Sequence, residues 1–369
     1  MTSSSDYRHM GRALKLATRG LYTTDPNPRV GCVIARGDRI VGEGWHRLAG
    51  ESHAEILALQ EAGGNAVGAT AYVTLEPCCH DGWTPPCTEA LILARLSRVV
   101  IAMSDPNPQV GGGGIERLRS AGIEVESGVL TEMAGSLNPG FRQRHLHGRP
   151  FVRLKLGVTL DGRTATQDGE SQWITSAEAR QDAQRLRARS SAILTGIGTA
   201  LKDDPSLTVR LAEAGAEPRQ PLRVIADTNL RLLPSARMLS LPGETLIMTA
   251  GKDEAVAAAL ADAGATIQYI APADGGLDLQ QIMKSLAQRE INEVLVEAGP
   301  SLCGSLVVAD LVDEVIIYMA PSLIGNSGSG MFRLPGVDRL EDRPLLSIKS
   351  VRRIGEDLRI KAAIRRRAA

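Results

Sequence analysis

Short β-rich runs and helix-like segments alternate along this chain in two series, separated by one break. That pattern restricts the fold to layered α/β units. In the first series, residues 31–35 and 40–44 read as strands around the turn-like Gly37-Asp38, and 71–75 and 98–102 as two more. Residues 53–62 and 88–96 carry helical apolar spacing, the first stopped by Gly63-Gly64. Residues 135–150, GSLNPGFRQRHLHGRP, are polar, basic and broken by Gly and Pro, which sets a domain boundary near Gly148. In the second series, strands are expected at 151–159, 192–195, 222–226, 245–248, 266–270, 293–296 and 314–318. Helices are expected at 176–189, with a start signal at Ser176, and at 252–261, 277–289 and 301–309. The expected fold class is α/β in two domains, 1–147 and 148–369, the second with a mostly parallel sheet.

The reactive side chains are distributed unevenly. All six histidines, at 9, 46, 53, 80, 145 and 147, fall in the first domain with Cys32, Cys78, Cys79 and Cys87; the second holds only Cys303. The chain start, MTSSSDYRHMGR, has no apolar leader, and an odd cysteine count in a long chain is not a disulfide framework. This fits a reducing, cytoplasmic setting in which clustered cysteines bind metal. Metal and imidazole chemistry therefore belongs to the first domain. Lys+Arg and Asp+Glu number 42 each and only 3% of residues are aromatic, which argues against nucleic acid as a partner. No run approaches the roughly 18 apolar residues of a membrane span, so no membrane association is expected.

The most specific pattern is His53-Ala54-Glu55, followed by Pro77-Cys78 and then Cys87. A zinc deaminase uses one His and two Cys as protein ligands and keeps the fourth position for water, whose pKa falls toward neutrality. A carboxylate two residues after the His carries protons rather than ligating, and Glu55 stands there. The common signature has two residues between its cysteines; here eight intervene, CHDGWTPP, ending on Pro85-Pro86. Cys79 is an alternative ligand, disfavoured because adjacent cysteines point in different directions. A purely structural zinc site is the competing reading. The chain also repeats itself once: DPNPRVG at 25–31 recurs as DPNPQVG at 105–111. Two rigid turns account for this as well as two loops that each present an Asn to one ligand.

DPNPRVG, HAE, EPCCHDGWTPPC, LKLGVTLDGRTA, ESQWIT, TGIGTALKDDPSLTVR and VEAGPSL follow one another over nearly the whole chain. With them the sequence resembles the bifunctional deaminase/reductase family of riboflavin biosynthesis, which has the same long spacing between its cysteines. The resemblance implies a cytidine-deaminase-like three-layer domain followed by a dihydrofolate-reductase-like domain. It implies one zinc ion per chain on His53, Cys78 and Cys87, with Glu55 as proton shuttle. It places Asn27, His46, His80 and Asn107 around a pyrimidine ribotide. The implied substrate is 2,5-diamino-6-ribosylamino-4(3H)-pyrimidinone 5′-phosphate, deaminated at the ring carbon bearing the 2-amino group. NADPH-dependent reduction of the ribosyl chain would then give 5-amino-6-ribitylamino-uracil 5′-phosphate.

For the second step, the resemblance matches Lys155 and Glu297 to a polar pair near the reacting carbon. It matches Gly157, Trp173, Thr199, Asp203, Thr228 and the run Gly299, Pro300, Ser301, Leu302, Cys303, Gly304 and Ser305 to NADPH. Ser171, Arg187, Leu207, Arg210 and Glu297 match the substrate side. The residues alone support less. Gly196-Ile197-Gly198 begins a dinucleotide fingerprint, but Leu201 stands where the third glycine belongs. The run EAGPS at 297–301 follows a strand and opens a helix, so its backbone N–H groups can face an anion. Arg187 and Arg210 suit a phosphate, and Asp161 is either a turn residue or part of the site.

The family's reductase domains pair, so a homo-oligomer, dimer or tetramer, is expected through that domain. Three positions depart from the family pattern: Cys79 where Ser is usual, and Trp83 and Gly113 where Lys or Arg is usual. Arg29 and Arg47 are candidates to replace the missing cations. The competing functional readings are a zinc deaminase acting on RNA or another nucleotide, and a nucleotide-binding regulatory protein with inactive sites.

Overall fold

The structure, a computed structural model, describes residues 2–80, 85–108, 110–214 and 218–365. The chain divides into two compact units, residues 1–149 and 150–369.

The first unit begins with a helix that the strand-and-helix reading missed, α1 (Ser4–Ala17). Ser3 and Asp6 form a capping box at its start, and Met10, Ala13, Leu14 and Ala17 are buried at helical spacing. There follow β1 (Gly31–Arg36), β2 (Arg39–Trp45), α2 (Ala54–Ala62), β3 (Thr70–Val73), α3 (Cys87–Leu93), β4 (Arg98–Ile101), α4 (Gly113–Ser120), β5 (Glu124–Ser127), α5 (Thr131–Leu137) and α6 (Pro139–His147). The sheet order is β2-β1-β3-β4-β5. β1 is antiparallel to both neighbours, and β3, β4 and β5 are parallel. Strand periodicity divides β1 between two cores. Cys32 and Ile34 pack with Ala58 of α2 and Leu91 of α3, whereas Val33 and Ala35 pack with Met10 and Leu14 of α1. Helices on both faces of one sheet make the unit three-layered.

Residues 135–150, whose composition sets the domain boundary, are largely helical. α5 and α6 take up most of them, and Asn138 between the two helices is buried. Asn138 Oδ1 accepts the Arg29 N–H at 2.8 Å, and its Nδ2 donates to the Arg29 carbonyl at 2.9 Å. Leu137 and Phe141 pack against the α1 core.

The second unit runs β6 (Phe151–Thr159), β7 (Arg163–Ala165), α7 (Ala177–Arg189), β8 (Ala192–Gly196), α8 (Ile197–Asp203), β9 (Leu222–Ala226), β10 (Thr245–Thr249), α9 (Glu254–Asp262) and β11 (Ala265–Tyr269). It continues through β12 (Pro272–Ala273), β13 (Gly276–Leu277), α10 (Leu279–Gln288), β14 (Glu293–Val296), α11 (Pro300–Val308), β15 (Glu314–Ala320), β16 (Ser329–Gly330), β17 (Leu345–Ile354) and β18 (Asp357–Arg365). The main sheet has the order β11-β10-β9-β8-β14-β6-β15-β18-β17. Its strands are parallel from β11 to β15, and the β17–β18 hairpin is added antiparallel. Leu194 and Val296 face one core, Ile193 and Leu295 the other. The capping signal at Ser176 is real: its side chain accepts the Ala179 N–H at 3.2 Å. Asp161 is a turn clamp, accepting N–H groups from Ile324 at 3.3 Å and Gly325 at 2.7 Å.

Candidate functional site

In the first unit two helix starts converge: His53 is the N-cap of α2, and Cys87 is the first residue of α3. Cys78 arrives on the segment between β3 and α3. His53 Nδ1 lies 3.2 Å from Cys87 Sγ and 3.6 Å from Cys78 Sγ. Tetrahedral zinc, with Zn–S about 2.3 Å and Zn–N about 2.05 Å, sets S···N edges of about 3.6 Å, so this donor set fits the metal. Among the described residues these three form the one His/Cys/carboxylate group that could hold a metal, with ligand atoms within 4.8 Å of one another. Cys79 is not part of it. A hydrogen bond with the Cys87 thiol, helped by His53 and the Cys87 N–H, brings the Cys78 thiol down to about 4.

Glu55 sits in the first turn of α2, only 3% exposed. Burial pushes its carboxyl up to about 7. A non-ligating carboxyl that exchanges protons near neutrality suits hydrolytic deamination.

Asn27 and His46 stand beside this group. The His46 ring meets the His53 ring edge to face, centroids 5.4 Å apart. His46 Nδ1 is 3.2 Å from the Ser52 carbonyl, and Nε2 is 3.1 Å from Asn27 Nδ2. A carbonyl only accepts, so Nδ1 carries the proton and Nε2 accepts from Asn27. Burial lowers the His46 pKa and favours this neutral form. Asn107 lies in the second DPNP turn, its N–H donating to Asp105 Oδ1 at 2.8 Å. His80 is exposed and close enough to Asp105 to act on its charge, while burial raises the Asp105 carboxyl to about 6.

A residue that sequence reading did not single out ties this second turn down. Glu76, buried and two residues before Cys78, accepts backbone N–H groups from Asp105 at 3.1 Å, Gly112 at 3.0 Å and Ile115 at 3.1 Å. An acid directly before Pro77-Cys78 was the available signal. Glu76→Gln replaces one acceptor oxygen by an NH2 that opposes those N–H groups. It is expected to retain zinc and raise the deaminase KM about tenfold. Steady-state kinetics with metal analysis check this, and an unchanged KM would mean that the turn is held by other contacts.

Of the family departures, Trp83 lies outside the described residues. Gly113 opens α4, and a Cβ there would come within 2.9 Å of Cys79 Sγ, so two departures are neighbours. Arg29 does not replace a missing cation. It is 5% exposed and donates to the Leu137 carbonyl at 2.7 Å. Arg47 stacks on the Trp45 ring at 4.8 Å.

In the second unit a cleft of about 1130 Å³ runs along the C-terminal ends of β6, β14, β8 and β9. That is where ligands bind in parallel sheets. Lys155, Gly157, Ser171, Trp173, Arg187, Thr199, Asp203, Leu207, Arg210 and Thr228 line it, with Glu297, Gly299, Pro300, Ser301, Leu302 and Ser305. Cys303 and Gly304 do not. The turn of α11 carries them to its inner side. Cys303 is fully buried with its Sγ donating to the Ala298 carbonyl at 3.3 Å, and a Cβ on Gly304 would collide with the Arg333 backbone. The run 299–305 is thus divided by the helical period rather than presented whole.

Arg187 grips Glu297 through two bonds, Nε to Oε1 at 2.7 Å and Nη2 to Oε2 at 2.9 Å, and gives Nη1 to the Thr208 carbonyl at 3.0 Å. Both side chains are 14% exposed. Burial alone would raise Glu297, but Arg187 and then Lys155 bring it down to about 2. Glu297 is therefore an anion at neutral pH and not a proton donor. Arg187 spends three of its five N–H donors on these contacts, and Arg210 is the exposed cation of that pair. Burial lowers Lys155 below the ordinary lysine range, with Glu297 opposing.

Comparison with known proteins agrees with both units. Residues 3–103 match the family described as the cytidine and deoxycytidylate deaminase zinc-binding region, and residues 150–360 match the RibD C-terminal domain. The riboflavin biosynthesis protein RibD of Escherichia coli (strain K12) is 49% identical over 367 residues, covering 96% of this chain and 98% of that protein. The structure of Acinetobacter baumannii RibD, form 2, is 43% identical with a TM-score of 0.90, covering 98% of this chain and 99% of that one. A diaminohydroxyphosphoribosylaminopyrimidine deaminase/5-amino-6-(5-phosphoribosylamino)uracil reductase from Thermotoga maritima has 33% identity, the same coverage and a TM-score of 0.85. Fold and site together define a two-part enzyme, a deaminase of the zinc-binding class followed by a reductase. The chain belongs to the riboflavin biosynthesis protein RibD family.

Proposed function

We propose that this chain performs two consecutive steps of riboflavin biosynthesis on one pyrimidine ribotide. The first, in residues 1–147, is hydrolytic deamination of 2,5-diamino-6-ribosylamino-4(3H)-pyrimidinone 5′-phosphate. The second, in residues 148–369, is NADPH-dependent reduction of the ribosyl chain to ribityl. The observation that carries the reading is the His53–Cys78–Cys87 group beside buried Glu55, on a chain that also holds the cleft around Lys155 and Glu297.

His53, Cys78 and Cys87 hold zinc, which when bound supplies a water of near-neutral pKa. Glu55 takes a proton from the attacking water and passes it to a ring nitrogen. It then takes the proton of the newly added hydroxyl and gives it to the amino group, which leaves as ammonia while the oxo group forms. The Asn27–His46 pair, fixed by the Ser52 carbonyl, and Asn107 with His80 orient the pyrimidine.

When bound, NADPH supplies hydride. Gly157, Trp173, Thr199, Asp203 and Thr228 flank it, and Gly299, Pro300, Ser301, Leu302 and Ser305 at the start of α11 meet its diphosphate. Ser171, Leu207, Arg210 and the Arg187–Glu297 pair face the substrate. Lys155, desolvated beside anionic Glu297, supplies the accompanying proton.

Trp173 gives a direct readout, since it is 70% exposed, lines the cleft and is the only tryptophan after residue 83. NADPH is expected to quench tryptophan emission and gain sensitised nicotinamide emission, and Trp173→Phe to remove most of that transfer. Transfer that persists undiminished in the variant would place the nicotinamide elsewhere.

The proposed homo-oligomer forms through the reductase unit, where the edge hairpin β17–β18 exposes Leu345, Leu346, Ile348, Val351 and Leu358. A cytoplasmic setting accords with five cysteines, none of them paired in a disulfide. Among the described residues no helix is long and apolar enough to cross a membrane.

A further inference from the structure

The reductase cleft extends past the residues assigned so far. Beyond the ends of β8 and β9 it is lined by Arg231, Arg237, Asp274 and Gly276. From β6 across β14 and β8 to β9 there are three steps between neighbouring strands, about 14 Å at ~4.8 Å each. A dinucleotide with its reactive ring at Lys155 and its diphosphate over the start of α11 therefore brings its adenosine to the end of β9. In parallel sheets that bind dinucleotides, the group beyond the first βα turn reads the adenosine ribose. An acid accepts its hydroxyls, whereas an arginine takes a phosphate at the 2′ position. β9, which pairs with β8, ends at that distance from β6, so the residues after it meet the adenosine ribose.

The acid that ends β9, Asp227, is turned away from the cleft. It is fully buried, its Oδ2 accepting the Leu232 N–H at 2.8 Å and its carbonyl the Leu230 N–H at 3.3 Å. These bonds close a tight turn over residues 227–232. Leu230 and Leu232 are both buried in the core, so Arg231 between them is directed outward to the cleft wall. Among the described residues Arg231 has no hydrogen-bond or ion-pair partner, Asp274 included. Two other cations of the cleft wall are engaged. Arg237 pairs with Asp204, Nε to Oδ2 at 3.6 Å, and Lys202 donates to the Gly169 carbonyl.

We propose that Arg231 takes the 2′-phosphate of the cofactor's adenosine and so decides for NADPH over NADH. The proposal rests on the reading of the cleft as the NADPH site. Its test is calorimetric binding to the full-length protein of NADP⁺, NAD⁺, adenosine 2′,5′-bisphosphate and adenosine 5′-monophosphate. The unaltered protein binds the bisphosphate more tightly than the monophosphate. Arg231→Ala loses roughly tenfold to hundredfold in affinity for NADP⁺ and the bisphosphate, the range of one charge-assisted contact, and keeps its affinity for NAD⁺ and the monophosphate. Arg231→Lys recovers part of the loss, because it keeps the charge without the guanidinium fork. Equal weakening of NADP⁺ and NAD⁺ would overturn the proposal in favour of an adenine contact while leaving the cleft reading intact. Unchanged affinities in Arg231→Ala would overturn it as well. An unaltered protein that bound neither dinucleotide would remove the cleft reading and this inference together.

Discussion

Glu55→Gln is expected to lower deaminase turnover at least about a thousandfold while zinc and reductase activity are retained. The size follows from the number of proton transfers that pass through one carboxyl. In the proposed step Glu55 moves one proton from the attacking water to the ring nitrogen and a second from the added hydroxyl to the leaving amine, and an amide does neither. Zinc is retained because the metal group is His53, Cys78 and Cys87, drawn together by two helix starts that the substitution leaves alone. The isosteric amide also avoids burying a charge, the same effect that holds the Glu55 carboxyl up at about 7. Metal analysis beside turnover checks both halves of the prediction. Loss of zinc in the variant would make Glu55 a structural part of the metal site.

Arg187→Met is expected to abolish reduction, leave deamination unchanged and destabilise the second unit by about 3 kcal/mol. It removes the cation that makes two bonds to Glu297 in a pair only 14% exposed. In the unaltered chain Glu297 is held at about 2, below its ordinary 4.5. Its ion pair therefore contributes stability that is present above pH 4.5 and lost as pH falls toward 2. Without Arg187, burial outweighs the remaining pull of Lys155 and the carboxyl rises. Protonation then relieves the unpaired charge, so the deficit is largest at neutral pH and shrinks on acidification. Denaturant unfolding at pH 7 and pH 5 measures this. A deficit independent of pH would trace the loss to packing instead of charge.

What was legible in the sequence follows from burial. The parallel strands of the second unit, such as AILTG, LRVIA, TLIMT and EVLV, are covered on both faces and read as short apolar runs. β17 and β18 escaped because they form an edge hairpin with exposed apolar residues such as Ile348 and Val351, and their pattern is no cleaner than that of a loop. α5 and α6 escaped because few of their residues are apolar, and Ala134, Leu137, Phe141 and the Asn138 contact with the Arg29 backbone, 109 residues apart, hold them without a periodic pattern. The metal group was legible because the chemistry demands those residue types and His-x-Glu before Pro-Cys is a specific pattern, even though the spacing between Cys78 and Cys87 departs from the common signature. Glu76 was not singled out, because its place before Pro77-Cys78 marks the residue but not its partners, which are backbone N–H groups 29 to 39 residues away. The resemblance matched the whole run 299–305 to NADPH. The helix that it opens sends Cys303 and Gly304 into the core instead.

The central claim is that one chain carries two consecutive activities on one ribotide. Its most direct test is mass spectrometry of the diaminopyrimidinone ribotide incubated with the zinc-loaded, full-length protein, first without and then with NADPH. The account predicts exchange of the amino group for an oxo group without NADPH, followed by a gain of two hydrogens once NADPH is added. Reduction that preceded deamination, or an unchanged ribotide in both incubations, would contradict it.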